Sequence, residues 1–149
     1  MAFSFRLQTL LNYRRSQEDL AQIRLFERLR ALALQEDRIR DLTGVREACQ
    51  QAFRQRTGQP APVNELVFYL DFQDRSFEEL NRLATGREKI QSEVHRERER
   101  LLALTKDRKI LEKLKEKQQR LFGQDLDRKE RKQVEDLVVQ RYAVLKKGE

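Results

Sequence analysis

Few side chains in this sequence could perform chemistry, and those few lie far apart. The single histidine, His95, stands in a run of mostly charged residues between positions 93 and 100, and the single cysteine is Cys49. A metal site needs several such ligands at close spacing, and a phosphate-binding loop needs clustered glycines, whereas the five glycines here are scattered. We therefore predict no catalytic residue, no metal site and no cofactor, and we expect that the protein is not an enzyme.

The densest charge lies between Lys106 and Arg120, where seven basic residues accompany three acidic ones. The whole chain carries a net charge of +7, which favours anionic partners such as nucleic acid, acidic lipid headgroups or an acidic protein face. However, acidic residues interrupt the run, and it lacks the aromatic side chains that stack on bases. Nucleic-acid binding is therefore kept as an alternative function.

The composition favours long helices over a compact globule. Ala, Glu, Lys, Leu and Arg account for 80 of the 149 residues, 38% of the chain is charged, and tryptophan is absent. We expect one all-α coiled-coil domain over residues 1–149, with a single apolar seam as its core. No apolar run approaches the roughly 20 residues of a membrane span, and no signal peptide is evident. The lone cysteine fits a reducing cytosol, so a soluble cytoplasmic protein is expected.

One stretch, residues 57–63, interrupts the helical pattern. It holds both prolines, Pro60 and Pro62, and proline cannot continue a helix because it lacks an amide donor and clashes with the preceding turn. The sequence thus predicts helix one over about 3–56, a turn over 57–63, and helix two over about 64–146, with a possible kink near Gly123. Gly86 interrupts helix two for no reason that the sequence makes evident.

The apolar residues on the two sides of this break mirror each other. If the helices fold back antiparallel about Ala61, partner positions should sum to about 122. The pairs that match are Leu42 with Leu80, Ile39 with Leu83, Leu32 with Ile90, Ala21 with Leu101, and Leu11 with Leu111. An antiparallel coiled-coil hairpin is therefore predicted, with the second helix longer and overhanging the first.

The overhang keeps an apolar stripe although helix one has no residues left to pair with it. Its members are Val134, Leu137, Val138, Arg141, Tyr142 and Leu145. A stripe without an internal partner is expected to face an external one.

Both ends of the sequence resemble the FliJ family of flagellar type III export proteins. The likeness lies in the opening run from Phe3 to Glu18, in residues 109–117, and in residues 131–142, and it extends over essentially the whole chain. The resemblance implies a cytoplasmic coiled coil, similar to the rotor stalk of rotary ATPases, that serves flagellum biogenesis and motility. Such proteins bind and stimulate a hexameric export ATPase. They also escort export chaperones to the cytoplasmic domain of the export-gate protein at the inner membrane.

The resemblance also implies two binding surfaces. The ATPase would contact the paired helix ends, at Leu7, Leu11, Val134, Leu137, Val138, Arg141 and Tyr142. Chaperones and the export gate would contact the hairpin nearer its turn, at Leu42, Val45, Cys49, Tyr69 and Phe72. Two alternatives remain: a basic helical nucleic-acid-binding protein, which predicts salt-sensitive binding of nucleic acid, and a generic coiled-coil spacer, which predicts neither activity.

Overall fold

The computed structural model describes residues 2–56 and 62–148, which form two long helices. Helix α1 spans Gln8–Gln55 and helix α2 spans Val63–Lys147. The described residues contain no β-strand, and the helices contact each other as an antiparallel hairpin whose second helix is the longer. The predicted fold class is therefore confirmed.

The hairpin divides into two compact units, each built from a piece of both helices. Unit 1 combines Met1–Glu18 with Ala103–Glu149, and unit 2 comprises Asp19–Leu102. Neither described helix has a segment long and apolar enough to cross a membrane.

The contacts inside both units follow the predicted mirror relation. In unit 1, Arg14 lies 3.6 Å from Asp107, and in unit 2, Arg28 lies 3.1 Å from Glu93. Both pairs of residue numbers sum to 121, against the predicted value of about 122. Two further pairs near this sum are Phe53 with Tyr69 and Arg56 with Glu65. The antiparallel register that the apolar pattern predicted is therefore present in each unit.

The core is thin, as expected for two helices that meet along one seam. The buried side chains are Phe5, Leu11, Ala21 and Val94, together with the polar Glu18 and Ser76. Most other seam residues are half-buried, because two helices cover only one side of each other.

Helix α1 begins at Gln8, five residues after the predicted start near residue 3. The N–H of Gln8 donates a hydrogen bond to the carbonyl of Phe5 at 3.1 Å, which closes a turn before the helix. The side chain of Phe5 is only 7% exposed, and the ring of Phe3 packs against Phe122. Packing of these two rings stabilises the non-helical path of residues 2–5.

Helix α2 begins directly after Pro62, whose carbonyl accepts a hydrogen bond from the N–H of Glu65 at 3.0 Å. The carboxylate of Glu65 pairs with Arg56, and it also suits the positive N-terminal end of the helix dipole. Of the predicted turn over 57–63, residues 57–61 lie outside the described residues. Farther along, α2 remains α-helical through both Gly86 and Gly123.

Gly86 leaves room for a side chain of the opposite helix. The amide nitrogen Nε2 of Gln35 donates a hydrogen bond to the carbonyl of Leu83 at 3.0 Å, which brings it across the surface of α2. A Cβ atom built on Gly86 would lie 2.8 Å from that nitrogen, closer than real Cβ atoms come. By contrast, a Cβ atom on Gly44 or Gly123 would meet no atom within 4 Å. Packing thus explains why position 86 is a glycine, but it does not explain the glycines at positions 44 and 123.

This difference predicts unequal effects of alanine at three glycines. Gly44→Ala and Gly123→Ala should each raise the free energy of unfolding by about 0.5–1 kcal/mol, since alanine favours helix over glycine. Gly86→Ala should raise the free energy of unfolding little, because displacing Gln35 costs a hydrogen bond worth about 1 kcal/mol. Urea unfolding followed by circular dichroism measures all three.

The control is Gly86→Ala in a Gln35→Ala background. Because the side-chain amide of Gln35 is then absent, alanine at position 86 should raise the free energy of unfolding by the full amount. If Gly86→Ala stabilised the unaltered chain as much as Gly44→Ala does, the close approach of Gln35 would have no energetic consequence.

Candidate interaction surfaces

A network of charged side chains ties the start of α1 to α2 in unit 1. The carboxylate of Glu18, which is buried, accepts hydrogen bonds from Nε of Arg108 and, at 3.1 Å, from the hydroxyl of Thr105. Arg108 also donates through Nη1 to Glu112 at 2.7 Å, and Arg15 donates to the other oxygen of Glu112 at 3.2 Å. Two carboxylates and two guanidinium groups thus alternate across the seam, and each carboxylate is held by more than one donor.

The network shifts the protonation equilibria of two of its members. The hydrogen bond to Glu18, and then that to Glu112, raises the pKa of Arg108 above its ordinary value. The hydrogen bond from Arg108 lowers the pKa of Glu112 below its ordinary value of 4.5, against an opposing effect of burial. The charged forms are therefore the ones that hold this part of the hairpin together.

The paired part of unit 1 ends at an aromatic contact. The ring centroids of Phe3 and Phe122 lie 5.6 Å apart with the ring planes tilted by 52°, a favourable geometry for two aromatic rings. Beyond this contact α2 continues for a further 25 residues, to Lys147. We call residues 124–147 the C-terminal overhang.

The overhang is a single helix with most of its apolar side chains in solvent. Val134, Leu137 and Val138 are each 60% exposed, and Tyr142 is 67% exposed. Further exposed apolar side chains of the overhang are Val139, Val144 and Leu145. A shallow depression on this helix is lined by Leu137, Gln140, Arg141, Val144 and Leu145. Such a cluster of exposed apolar side chains is typical of a helix that docks onto another protein.

The residues predicted to form the first surface do not all share this exposure. Val134, Leu137, Val138, Arg141 and Tyr142 lie together on the exposed overhang. By contrast, Leu7 is 38% exposed in the turn before α1, and Leu11 is fully buried in the seam. Val134 lies 12 residues beyond Phe122, about 18 Å along the helix at 1.5 Å per residue. Leu11 therefore serves the core of the closed hairpin, and the exposed surface consists of the overhang.

The residues predicted for the second surface lie in unit 2, close to the turn. Val45 is 54% exposed, whereas Leu42, Cys49, Tyr69 and Phe72 are half-buried. Tyr69 stacks on Phe53 at a centroid distance of 4.1 Å with nearly parallel rings. Alongside them the guanidinium of Arg46 lies 5.7 Å from the ring centroid of Phe77 and donates to Gln73 at 3.1 Å. Most of this set therefore stabilises the hairpin, and each half-buried side chain presents only one edge to solvent.

A more exposed apolar group, outside the residues predicted for the second surface, lies at the start of α2. Its members are Val63, Leu66, Val67, Phe68 and Leu70, which are between 40% and 75% exposed. The cluster of aromatics after the prolines signalled that this segment has more apolar side chains than one seam can bury. Which of them face solvent depends on the rotation of α2 against α1, and that rotation is fixed by contacts such as the stack of Tyr69 on Phe53.

The isolated histidine and the isolated cysteine lie on different helices. His95 lies 3.1 Å from Glu99, one turn along the surface of α2, and Cys49 is a half-buried free thiol. The described residues include no group of three or more His, Cys, Asp or Glu side chains placed to hold a metal ion.

The lowered pKa of Glu112 predicts a pH dependence of stability. Because its pKa is lower in the folded chain than in the unfolded chain, Glu112 contributes stability above about pH 4.5 and loses it as the pH falls through the folded-state pKa. Glu112→Gln should therefore lose less thermal stability than the unaltered protein between about pH 7 and pH 3. The melting temperature, followed by circular dichroism at several pH values, measures this difference.

Glu116→Gln is the matched control, since Glu116 is an exposed acid of the same helix and no ion pair to it is found among the described residues. It should follow the unaltered protein at every pH. Equal pH dependence of the two variants would show that Glu112 has no special share in acid unfolding.

Comparison with known proteins gave one finding. The family model described as "Flagellar FliJ protein" matches residues 3–147, nearly the whole chain. No match was found among curated proteins or solved structures.

Proposed function

The chain belongs to the flagellar FliJ family, and on this basis we propose that it is a stalk-like coiled coil that binds and stimulates the flagellar export ATPase. The family match confirms the resemblance found in the sequence, and membership indicates a component of the flagellar export apparatus. In the proposed role the protein acts in the cytoplasm, at the cytoplasmic face of the inner membrane. It contributes no reacting group and acts by contact alone.

The exposed apolar overhang is the observation that best supports ATPase binding. Val134, Leu137, Val138 and Tyr142 are each at least 60% exposed on the C-terminal overhang. Leaving such side chains in water is unfavourable by about 25 cal/mol per Å² of apolar surface, so burial against a partner would stabilise a complex. Arg141 adds a positive charge beside them. A single helix of this kind fits the groove or central opening of a larger protein.

The same proposal places chaperone and export-gate contacts on the surface near the turn. Val45 on α1 is exposed, and Leu42, Cys49, Tyr69 and Phe72 of the same unit are half-buried. The exposed side chains of Val67 and Phe68 at the start of α2 add apolar area in the same unit. Supporting contacts such as the stack of Phe53 on Tyr69 fix these side chains before binding, which lowers the entropy lost on association.

The ATPase proposal predicts that three substitutions on the overhang weaken binding to the ATPase. In Val134→Ser/Val138→Ser/Tyr142→Ser the apolar anchors are lost while the helix is kept. Removing interface anchors typically costs more than about 1 kcal/mol each. The concentration of this protein that gives half-maximal phosphate release by the cognate ATPase should therefore rise more than about tenfold.

Val139→Ser is the matched control for Val138→Ser. The two valines are neighbours with similar exposure, 66% and 60%, but they point to different sides of the helix, about 100° apart. Val139→Ser should stimulate normally. No stimulation by the unaltered protein, or full stimulation by a chain ending at residue 123, would refute the proposal.

The second surface is tested with a charged residue that the proposed complex would bury. Val45→Asp should weaken capture of the cognate export chaperone and of the export-gate cytoplasmic domain by at least about tenfold, because a carboxylate would have to be desolvated in an apolar contact. Gln51→Asp adds the same charge at an exposed position of the same helix and should have little effect. Unchanged binding by Val45→Asp, measured by calorimetry, would exclude Val45 from the contact.

A further inference from the structure

The lysines of this protein are unevenly distributed. The chain contains 22 arginines and 10 lysines, and no lysine precedes Lys89. Five of the ten lie between Lys106 and Lys117, in the part of α2 that belongs to unit 1. Helix α1 uses arginine alone for its positive charges, so this segment of α2 differs in the chemistry of its cations.

Contacts with α1 engage most of the acidic residues between Lys106 and Arg120 and leave most of the basic ones exposed. Of its three acids, Asp107 pairs with Arg14, and Glu112 pairs with Arg15 and Arg108. Among its seven basic residues, Arg108 is held in the seam network and Lys115 is half-buried. The other five are exposed, and we call them the basic ridge: Lys106, Lys109, Lys113, Lys117 and Arg120. Glu116 is the one acid of the segment for which no ion pair is found among the described residues.

The basic ridge runs along one side of the helix. Its members are separated by 3, 4, 4 and 3 residues, a spacing that keeps them within one stripe of an α-helix, about 21 Å long. Arg108 and Glu112 contact α1 in the seam, and the stripe lies on the opposite side of α2. No ion pair to any of the five is found among the described residues. Two exposed apolar side chains, Ile110, 65% in solvent, and Leu121, 47% exposed, border the stripe on one flank.

We propose that the basic ridge binds the headgroups of an anionic lipid bilayer directly. Clusters of four to eight basic residues on one helix face bind anionic lipids. Lysine suits this role because its flexible stem and compact charge adapt to a fluid array of headgroups, whereas fixed protein sites favour the planar arginine. The apolar side chain of Ile110, at the edge of the basic ridge, can enter the interface while the ammonium groups stay at headgroup level.

Two other anionic partners fit the ridge less well. Nucleic acid that is bound by stacking needs aromatic side chains, and residues 106–120 contain none. An acidic protein surface offers fixed carboxylates. Such a surface gives the exposed isoleucine beside the stripe no apolar area to contact. The test distinguishes both from lipid.

The proposal is tested by flotation of the full-length protein with vesicles. Vesicles of phosphatidylglycerol mixed with phosphatidylcholine should carry the protein at about 0.05 M salt and release most of it at about 0.3 M, whereas pure phosphatidylcholine should not bind it. The ridge variant Lys106→Gln/Lys109→Gln/Lys113→Gln/Lys117→Gln should bind anionic vesicles more than about tenfold more weakly. Circular dichroism should show unchanged helicity, since all four lysines are exposed.

The matched control removes four lysines elsewhere on α2. The variant Lys129→Gln/Lys132→Gln/Lys146→Gln/Lys147→Gln changes the net charge of +7 by the same amount, to +3, at exposed positions of the same helix. It should keep most of its affinity for the vesicles. Equal loss by both variants would mean that binding follows net charge alone, and it would overturn the proposal, as would an absence of binding at low salt or unchanged binding by the ridge variant.

Labelled polyglutamate and single-stranded DNA serve as competing probes. If the ridge lysines are needed to bind either polymer while anionic vesicles are not bound, the ridge belongs to an acidic protein or to nucleic acid, and the lipid proposal is wrong. The ridge residues are not among those proposed to contact the ATPase. The ridge variant should therefore stimulate the ATPase in solution as well as the unaltered protein does, which separates this test from that of the proposed function.

Discussion

Two helices that meet along a single seam can bury only one side of each other, and this constraint governs the rest of the molecule. Only four apolar side chains are buried among the described residues, and dozens of others are exposed or half-buried. The hairpin therefore cannot depend on a thick apolar core for its register. Polar contacts across the seam, such as the pairing of Arg28 with Glu93, supply the specificity that a larger core would otherwise give.

The network around Glu18 shows how such contacts act. A buried carboxylate is unfavourable unless it is paired and hydrogen-bonded, and Glu18 finds both kinds of partner only when α1 and α2 adopt one register. A shift of α2 by one turn would leave that carboxylate without Arg108 and Thr105. Contacts with α1 also hold two of the three acids between Lys106 and Arg120, namely Asp107 and Glu112, and leave lysines on the outer side. Register and surface charge thus have a common origin.

The sequence predicted the helices, the antiparallel pairing and the overhang, because each follows from the spacing of apolar residues and from two prolines. It did not predict that residues before Gln8 leave the helix, since that depends on Phe3 finding Phe122. The role of Gly86 depends likewise on a side chain 51 positions away, Gln35. The binding surfaces could be located only approximately. Whether Leu11 or Phe68 faces solvent is decided by the rotation of one helix against the other.

If the C-terminal overhang docks onto the ATPase as proposed, the unequal length of the helices has a consequence for the dissociation of that complex. The overhang rests on its own backbone hydrogen bonds, without the packing that stabilises the rest of α2. A helix of that kind frays readily, so part of the favourable energy of docking is offset by the entropy lost when it becomes ordered. Affinity is thereby held below what the buried area alone would give. Such an arrangement favours fast release and repeated engagement over permanent attachment.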